Sequence, residues 1–291
     1  MDEASVAFIG LGVMGYPMAG WLSEKGCSVT VYNRTAEVSQ RWVSTYKGAV
    51  AESPKVAAEQ ADVVFICVGN DSDVKDVVLG ERGALAGLGA GAVLVDHTTT
   101  SAQLALELAE NARQVHCQFI DAPVSGGQQG AENGQLTVMC GGEDKAFERV
   151  QPLIASYAKV VTLMGPSGCG QRCKMVNQIC IAGLVQGLAE GLNFAEKAGL
   201  DPHLVVEVIS KGAAQSWQME NRYKTMLAGE YNHGFAVKWM RKDLGFALRE
   251  AQRNGSQLPV TTLVDEYYAD VEELGGRRWD TSSLLARLKS L

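Results

Sequence analysis

Lys174 is the residue best suited to acid–base work on a carbonyl. It stands near the start of a long helical pattern, Cys169–Ala198, with Asn177 and Gln178 three and four positions later on the same face. A lysine where that helix leaves the first half of the chain could donate a proton to a carbonyl oxygen receiving hydride; the ordinary alternative for a helical lysine is a solvated charge. Ser125-Gly126-Gly127 follows the apolar run Gln118–Val124. Its hydroxyl and glycine amides could hold a carboxylate as a small backbone nest, or form a plain Ser-Gly-Gly turn.

A third group lies at the N-terminus. The apolar run Ser5–Ile9 leads into Gly10-Leu11-Gly12-Val13-Met14-Gly15 and then an amphipathic segment, which is G-x-G-x-x-G between a strand and a helix. Gly10 suits the tight turn, Gly12 the close approach of backbone to a pyrophosphate, and Gly15 the packing of helix on strand. About 20 residues on, where NAD sites carry Asp or Glu, the chain has Asn33-Arg34-Thr35. The missing carboxylate and the adjacent guanidinium predict NADP(H) as the preferred cofactor, with NAD(H) possible and a solvated Arg34 as the alternative. Cys67-Val68-Gly69-Asn70 and Asp96-His97-Thr98-Thr99-Thr100 also follow apolar runs, at the strand ends where such sheets bind ligands.

These residues need a scaffold. Up to residue 165, apolar β-branched runs (Ser5–Ile9, Ser28–Tyr32, Val63–Val68, Ala92–Asp96, Gln118–Val124, Gln135–Cys140 and Val160–Leu163) alternate with helical stretches. This predicts an α/β fold, a mainly parallel sheet covered on both faces. From residue 166 to 291 the pattern is all helical: the long helix, then Asp201–Lys211, Asn221–Ala228, Val237–Arg253, Pro259–Glu273 and Ser282–Leu288. The expected organisation is a Rossmann-type dinucleotide-binding domain, 1–165, joined by the long helix to an all-α domain, 166–291. Gly183, Gly187 and Gly191 recur every fourth residue of that helix. Each glycine costs about 1 kcal/mol in a helix interior, so the stripe predicts a close neighbouring helix, in the same chain or across a two-fold.

With 26 basic and 33 acidic residues the net charge is −7. That balance, without a basic patch, argues against nucleic acid and anionic membrane surfaces. No apolar run approaches about 20 residues, the acidic start is unlike a signal peptide, and seven scattered cysteines suggest reduced core residues. A cytoplasmic protein without a metal site is expected.

Phe8–Leu22 (FIGLGVMGYPMAGWL), Asp121–Gly127 (DAPVSGG), Gly168–Asn177 (GCGQRCKMVN) and Lys242-Asp243-Leu244 resemble, in order and spacing, the β-hydroxyacid dehydrogenase family. That family includes 3-hydroxyisobutyrate dehydrogenase and the glyoxylate and succinic semialdehyde reductases, and the resemblance covers essentially the whole chain. It implies hydride transfer between a nicotinamide cofactor and a small carboxylate-bearing hydroxy acid or semialdehyde. Lys174 would be the general acid/base and Asn177 would orient the substrate, whose carboxylate Ser125, Gly126 and Gly127 would bind. Gly10, Leu11, Gly12, Val13, Met14 and Gly15 would hold the pyrophosphate, with Asn33, Arg34 and Thr35 at the ribose. Val68, Asn70, Thr99 and Lys242 would complete the cofactor site. Trp21 departs from the family's Asn or Phe, a difference expected to affect helix packing. The resemblance also implies a homodimer or homotetramer. Gln128, Gln215, Trp217 and Phe235 are candidate selectivity residues for a substrate the sequence does not name, with helix packing as the alternative for Trp217. The readings set against this are a non-catalytic dinucleotide-binding scaffold and an imine reductase-like enzyme, a sister group that generally replaces the lysine.

Overall fold

The computed structural model describes residues 4–291 and divides them into two compact units, one up to residue 174 and one over 175–291. In the first, β1 (Ser5–Ile9), α1 (Gly15–Glu24), β2 (Ser28–Tyr32), α2 (Ala36–Thr45), β3 (Ala49–Val50), α3 (Pro54–Ala58), β4 (Val63–Ile66), α4 (Asp71–Leu79), β5 (Val93–Asp96), α5 (Ala102–Gln114) and β6 (Gln118–Asp121) form an alternating series. The strand order β3-β2-β1-β4-β5-β6, all parallel, is that of a Rossmann-type sheet. The order reverses beside β1, so the chain diverges there and leaves a crevice at the carboxyl ends of β1 and β4.

Period-two alternation explains why both faces are covered. Val6, Phe8, Val63, Phe65, Val93 and Val95 point into one core with Met18, Leu22 and Trp42. Their alternates, Ala7, Ile9, Val64, Ile66 and Leu94, point into the other with Val74, Leu104 and Leu108. Ser101 caps α5 by accepting from Leu104 N at 3.1 Å, as its position beside a helical pattern predicts.

β7 (Val124–Ser125), α6 (Gly127–Glu132), β8 (Leu136–Gly142), α7 (Asp144–Ile154) and β9 (Ala158–Leu163) extend the sheet, with β8 antiparallel to β6 and β7. The single run expected over Gln118–Val124 is therefore two strands, parted at Ala122-Pro123, where proline lacks the N–H a ladder needs. The two-residue β3 has too little alternation to be read from sequence.

α8 (Cys169–Lys197) begins in the first unit and continues into the second, where α9 (Pro202–Ile209), α10 (Trp217–Ala228), α11 (Val237–Asn254), α12 (Pro259–Val271) and α13 (Leu284–Ser290) follow. Their core gathers Val185, Leu192, Met226, Met240, Leu244 and Tyr268. One expectation is corrected on α8 and another is narrowed. An 18-residue window averages a hydropathy of 1.2, so the helix is long and apolar enough by composition to cross a bilayer, and 44% of that window is buried within the fold. Asn177, Gln178 and Gln186 break the apolar runs, so no single run reveals the average. A Cβ built on Gly183, Gly187 or Gly191 meets nothing within 4 Å among the described residues, which leaves a contact across a two-fold as the form of neighbour the stripe still predicts. The cysteines are all free, but only Cys117 and Cys140 are buried and Cys180 is exposed.

Candidate active site

The loop after β1 is shaped by three glycines with different neighbours. Gly10 has φ +97°, and its amide donates to Tyr32 O at 2.8 Å. A side chain there would strike Cys67 O, so the loop lies directly on the end of β4. A Cβ on Gly15 would collide with Gly10 O and press on Phe8, which keeps α1 close to β1. A Cβ on Gly12 meets nothing within 4 Å. Bare backbone facing open space, at the start of a helix that no side chain caps among the described residues, fits a pyrophosphate. Leu11 is buried and Val13 is 64% exposed.

Asn33 does something the sequence did not suggest. Its Oδ1 accepts from Leu11 N at 2.9 Å and its Nδ2 donates to Thr35 O at 3.1 Å, so it braces the glycine loop against the start of α2. The side chain expected at the ribose is thus committed inward, and it takes up one loop amide. Arg34 is 89% exposed, with its guanidinium 3.6 Å from the Asp73 carboxylate on α4.

At the next strand ends, Val68 N donates to Thr98 Oγ1 at 3.0 Å. Asn70 caps α4, accepting from Asp73 N at 3.0 Å and from Ser72 Oγ at 2.7 Å. Asp96 and Asp121 are register partners on β5 and β6, and both are buried. Burial raises Asp96 to about 7; its bonds with Thr98 oppose that, and the Asp121 and Asp71 charges add to it. Asp96 Oδ1 accepts from Thr98 N at 2.9 Å, whereas Oδ2 has no partner. His97 lies between Ala122 O, 2.6 Å from Nδ1, and Tyr157 Oη, 2.8 Å from Nε2. Burial lowers it to about 4, so it is neutral, and the carbonyl assigns its proton to Nδ1.

Burial raises Asp121 to about 6, against the pull of two amides: Gly168 N donates to its Oδ1 at 2.7 Å and Gln171 N to its Oδ2 at 2.8 Å. The Gln171 side chain in turn accepts from Thr100 N at 3.0 Å and donates to Thr98 O at 2.8 Å. Thr99 lies between those two bonds, and Lys174, one turn after Gln171 on α8, is 7% exposed. Ser125 ends β7, and Gly126 and Gly127 follow with φ +127° and +61°, a backbone that side chains rarely adopt. Trp21 Nε1 donates to Ala131 O at 3.0 Å, tying α1 to α6 behind that turn.

Asn177 belongs to the second unit. Its Nδ2 donates to Gln178 Oε1 at 2.8 Å, and Gln178 Nε2 donates to Asp243 Oδ2 at 2.7 Å. The Asp243 carboxylate lies 3.3 Å from Lys242 Nζ, which sits over the Trp239 and Phe246 rings. The structure thus groups the glycine loop, Asn33, Val68, Thr99, Ser125–Gly127 and Lys174 within the first unit, and Asn177 and Lys242 within the second. Gln128 on α6 bonds the Glu132 carboxylate at 2.7 Å. Trp217 and Phe235 are exposed, with Arg222 4.8 Å over the Trp217 ring. Sequence reasoning missed Asp121 and Gln171 as structural anchors and Asp243 as the link between Gln178 and Lys242. Their only signal was membership in the quoted motifs.

Residues 5–165 match the family described as the NAD binding domain of 6-phosphogluconate dehydrogenase. Residues 168–288 match that described as NAD-binding of NADP-dependent 3-hydroxyisobutyrate dehydrogenase. The chain is 63% identical over 286 residues to an uncharacterized oxidoreductase of Shewanella frigidimarina (strain NCIMB 400), covering 98% of each. It is 35% identical to 2-hydroxy-3-oxopropionate reductase of Escherichia coli (strain K12), covering 98% of this chain and 97% of that one. A solved structure of Mycobacterium tuberculosis 3-hydroxyisobutyrate dehydrogenase with L-serine matches with a TM-score of 0.89 at 26% identity, covering 98% and 99%.

The buried carboxyl and imidazole set opposite pH trends. Asp96, raised to about 7, stabilises the fold fully below its unfolded value of about 4, and that contribution is lost as pH rises through about 7. His97, lowered to about 4, contributes above its unfolded value of about 6.5 and loses that as pH falls through about 4. Asp96→Asn is neutral at every pH and keeps the acceptor for Thr98 N. Relative to the parent it is expected to gain on the order of a few kcal/mol between about pH 5 and 8, measured by denaturant unfolding. A difference that stays constant over that range shows Asp96 to be ionised throughout.

Proposed function

Because the chain belongs to the β-hydroxyacid dehydrogenase family, whose members use a nicotinamide dinucleotide on small hydroxy acids, we propose that it interconverts a carboxylate-bearing semialdehyde and its hydroxy acid. NADP(H) is the preferred cofactor in this reading and Lys174 is the general acid/base. One observation carries it: Lys174 is 7% exposed in the second turn of a helix whose start Asp121 holds, so it is not the solvated charge a helical lysine ordinarily is.

When bound, the nicotinamide supplies or accepts the hydride. In reduction, Lys174 holds a proton at Nζ and releases it to the substrate oxygen as negative charge builds there; in oxidation it takes that proton back. The Ser125 hydroxyl and the amides of Gly126 and Gly127 bind the carboxylate and so set how far the reacting carbon lies from it. Asn177, held by Gln178, orients the substrate. Gly12 and the uncapped start of α1 accept the pyrophosphate.

Cofactor choice rests on charge at the end of β2. Asn33 does not repel a 2′-phosphate, and Arg34 is tied only to Asp73 by an exposed pair worth at most about 1 kcal/mol. Exchanging that partner for a phosphate adds a charge-assisted bond of about 1.5–3 kcal/mol. Self-association through α8 belongs to the same reading, as a homodimer or homotetramer. Its support is the uncovered glycine stripe together with the exposed Leu184 and Phe194 on that helix.

Lys174→Ala is expected to lower kcat by roughly 10²–10⁴ with cofactor affinity little changed, measured on a panel of 2- and 3-hydroxy acids and semialdehydes. A variant keeping more than about a tenth of the parent kcat sinks the acid/base role, and no turnover of any panel member by the parent favours a scaffold. NADP(H) is expected to exceed NAD(H) by at least about tenfold in kcat/KM, and Arg34→Ala to erase most of that margin while sparing NAD(H). Equal use of both cofactors by the parent refutes the preference. Gly187→Leu meets open space within one chain, so a monomer tolerates it; across two copies it overpacks the contact, lowering Tm and shifting mass in solution to smaller species. Unchanged Tm and mass show that the stripe is not a packing surface.

A further inference from the structure

We infer that Gln171 is a positioning residue that registers the cofactor-side loop Thr98–Thr100 against Lys174. The inference rests on the reading of Lys174 as acid/base and Thr99 as a cofactor contact. Gln171 is fully buried, and each end of its side-chain amide bonds backbone: Oε1 accepts from Thr100 N at 3.0 Å and Nε2 donates to Thr98 O at 2.8 Å. The two bonds bracket Thr99 as a paired strand would, and they fix the backbone on both sides of that residue.

The root of the side chain is equally constrained. Gln171 N donates to Asp121 Oδ2, and Gly168 N to Asp121 Oδ1. Side chains are excluded around that junction: a Cβ on Gly141 would crowd Asp121 Oδ1 and Gly170 N, and one on Gly170 would strike Met139 O and Asp121 O. Lys174 follows by three residues, about one helical turn. A path of two hydrogen bonds and one turn of helix therefore joins the loop carrying Thr99 to the backbone carrying the proton donor. A displacement of about 1 Å between reacting groups costs roughly 100-fold in rate, so loss of this brace is expected to slow the chemical step even when the protein stays folded.

Gln171→Leu removes both bonds. Gln171→Glu keeps the acceptor for Thr100 N and regains a donor to Thr98 O only when protonated. Each is read by the single-turnover decay of prebound NADPH on mixing with the semialdehyde of the panel that the parent reduces fastest, in which misfolded protein lowers the amplitude and mispositioning lowers the rate constant. In the cofactor-free protein, amide exchange is followed over residues 98–101 and 168–174. The expected result for Gln171→Leu is a rate constant at least about tenfold lower, with faster exchange in both segments. For Gln171→Glu it is a rate constant that approaches the parent's as pH is lowered. A rate constant reduced less than about tenfold in Gln171→Leu, at any amplitude, overturns the proposal, as does unchanged exchange. Should Gln171→Leu not fold, Gln171→Glu decides alone: a rate ratio to the parent that does not move with pH overturns it. Lys174→Ala, run alongside, separates the two ideas. A parent-like rate there fails the acid/base reading itself, whereas a slow Lys174→Ala beside a parent-like Gln171→Leu fails only this one.

Discussion

Two backbone amides at the start of α8, those of Gly168 and Gln171, end on the carboxylate of Asp121 at the tip of β6. The first turn of any helix leaves amides without intrahelical partners, and its dipole favours a negative group there. Where a side chain caps another helix here it is local, as with Ser101 for α5 or Asn70 for α4. Here the cap comes from a strand some 50 residues earlier, so the end of an inner strand and a 29-residue helix share one buried carboxylate. The cost of burying it appears in the carboxyl's upward shift to about 6, and the two amides keep that shift from being larger.

The arrangement constrains what surrounds it. Gly141 pairs with Asp121 across the antiparallel step from β6 to β8, and neither it nor Gly170 has room for a side chain. β6 must end at Asp121, and Ala122-Pro123 ends it, sending the chain toward the Ser125 turn while Ala122 O meets His97. Gln171, placed by the same carboxylate, then reaches the backbone after β5. The carboxyl ends of β5 and β6 and the base of Lys174's helix thus form one hydrogen-bonded body within the first unit. Its charged members are few and buried, and most of their bonds run to backbone.

At the carboxyl end of β1 the governing term is steric. Gly10 and Gly15 are where they are because backbone lies against them, and Gly12 because nothing does. A loop with so few side chains needs bracing from elsewhere. Asn33 supplies that brace to Leu11 N, so the residue at the end of β2 serves the loop as well as the charge balance around Arg34.

Much of this was legible in the sequence because it is local. The glycine loop between strand and helix spans six residues, and the alternating runs that bury both sheet faces repeat every second residue, so the parallel sheet, the tight turn at Gly10, the close packing at Gly15 and the extent of α8 follow from pattern alone. The resemblance carried by the four motifs extended that reading to Lys174 and Ser125–Gly127. What the pattern could not contain were pairings set by register. Asp121 meets residues 47 and 50 positions away, Gln171 meets residues 71 and 73 positions away, and Asn33 turns inward to Leu11. A carboxylate beside a strand end, or a glutamine on a helix, has the same local signature whether it faces solvent or closes a junction. Only tertiary structure decides, because the partners are backbone atoms, which every residue has and which no sequence pattern marks.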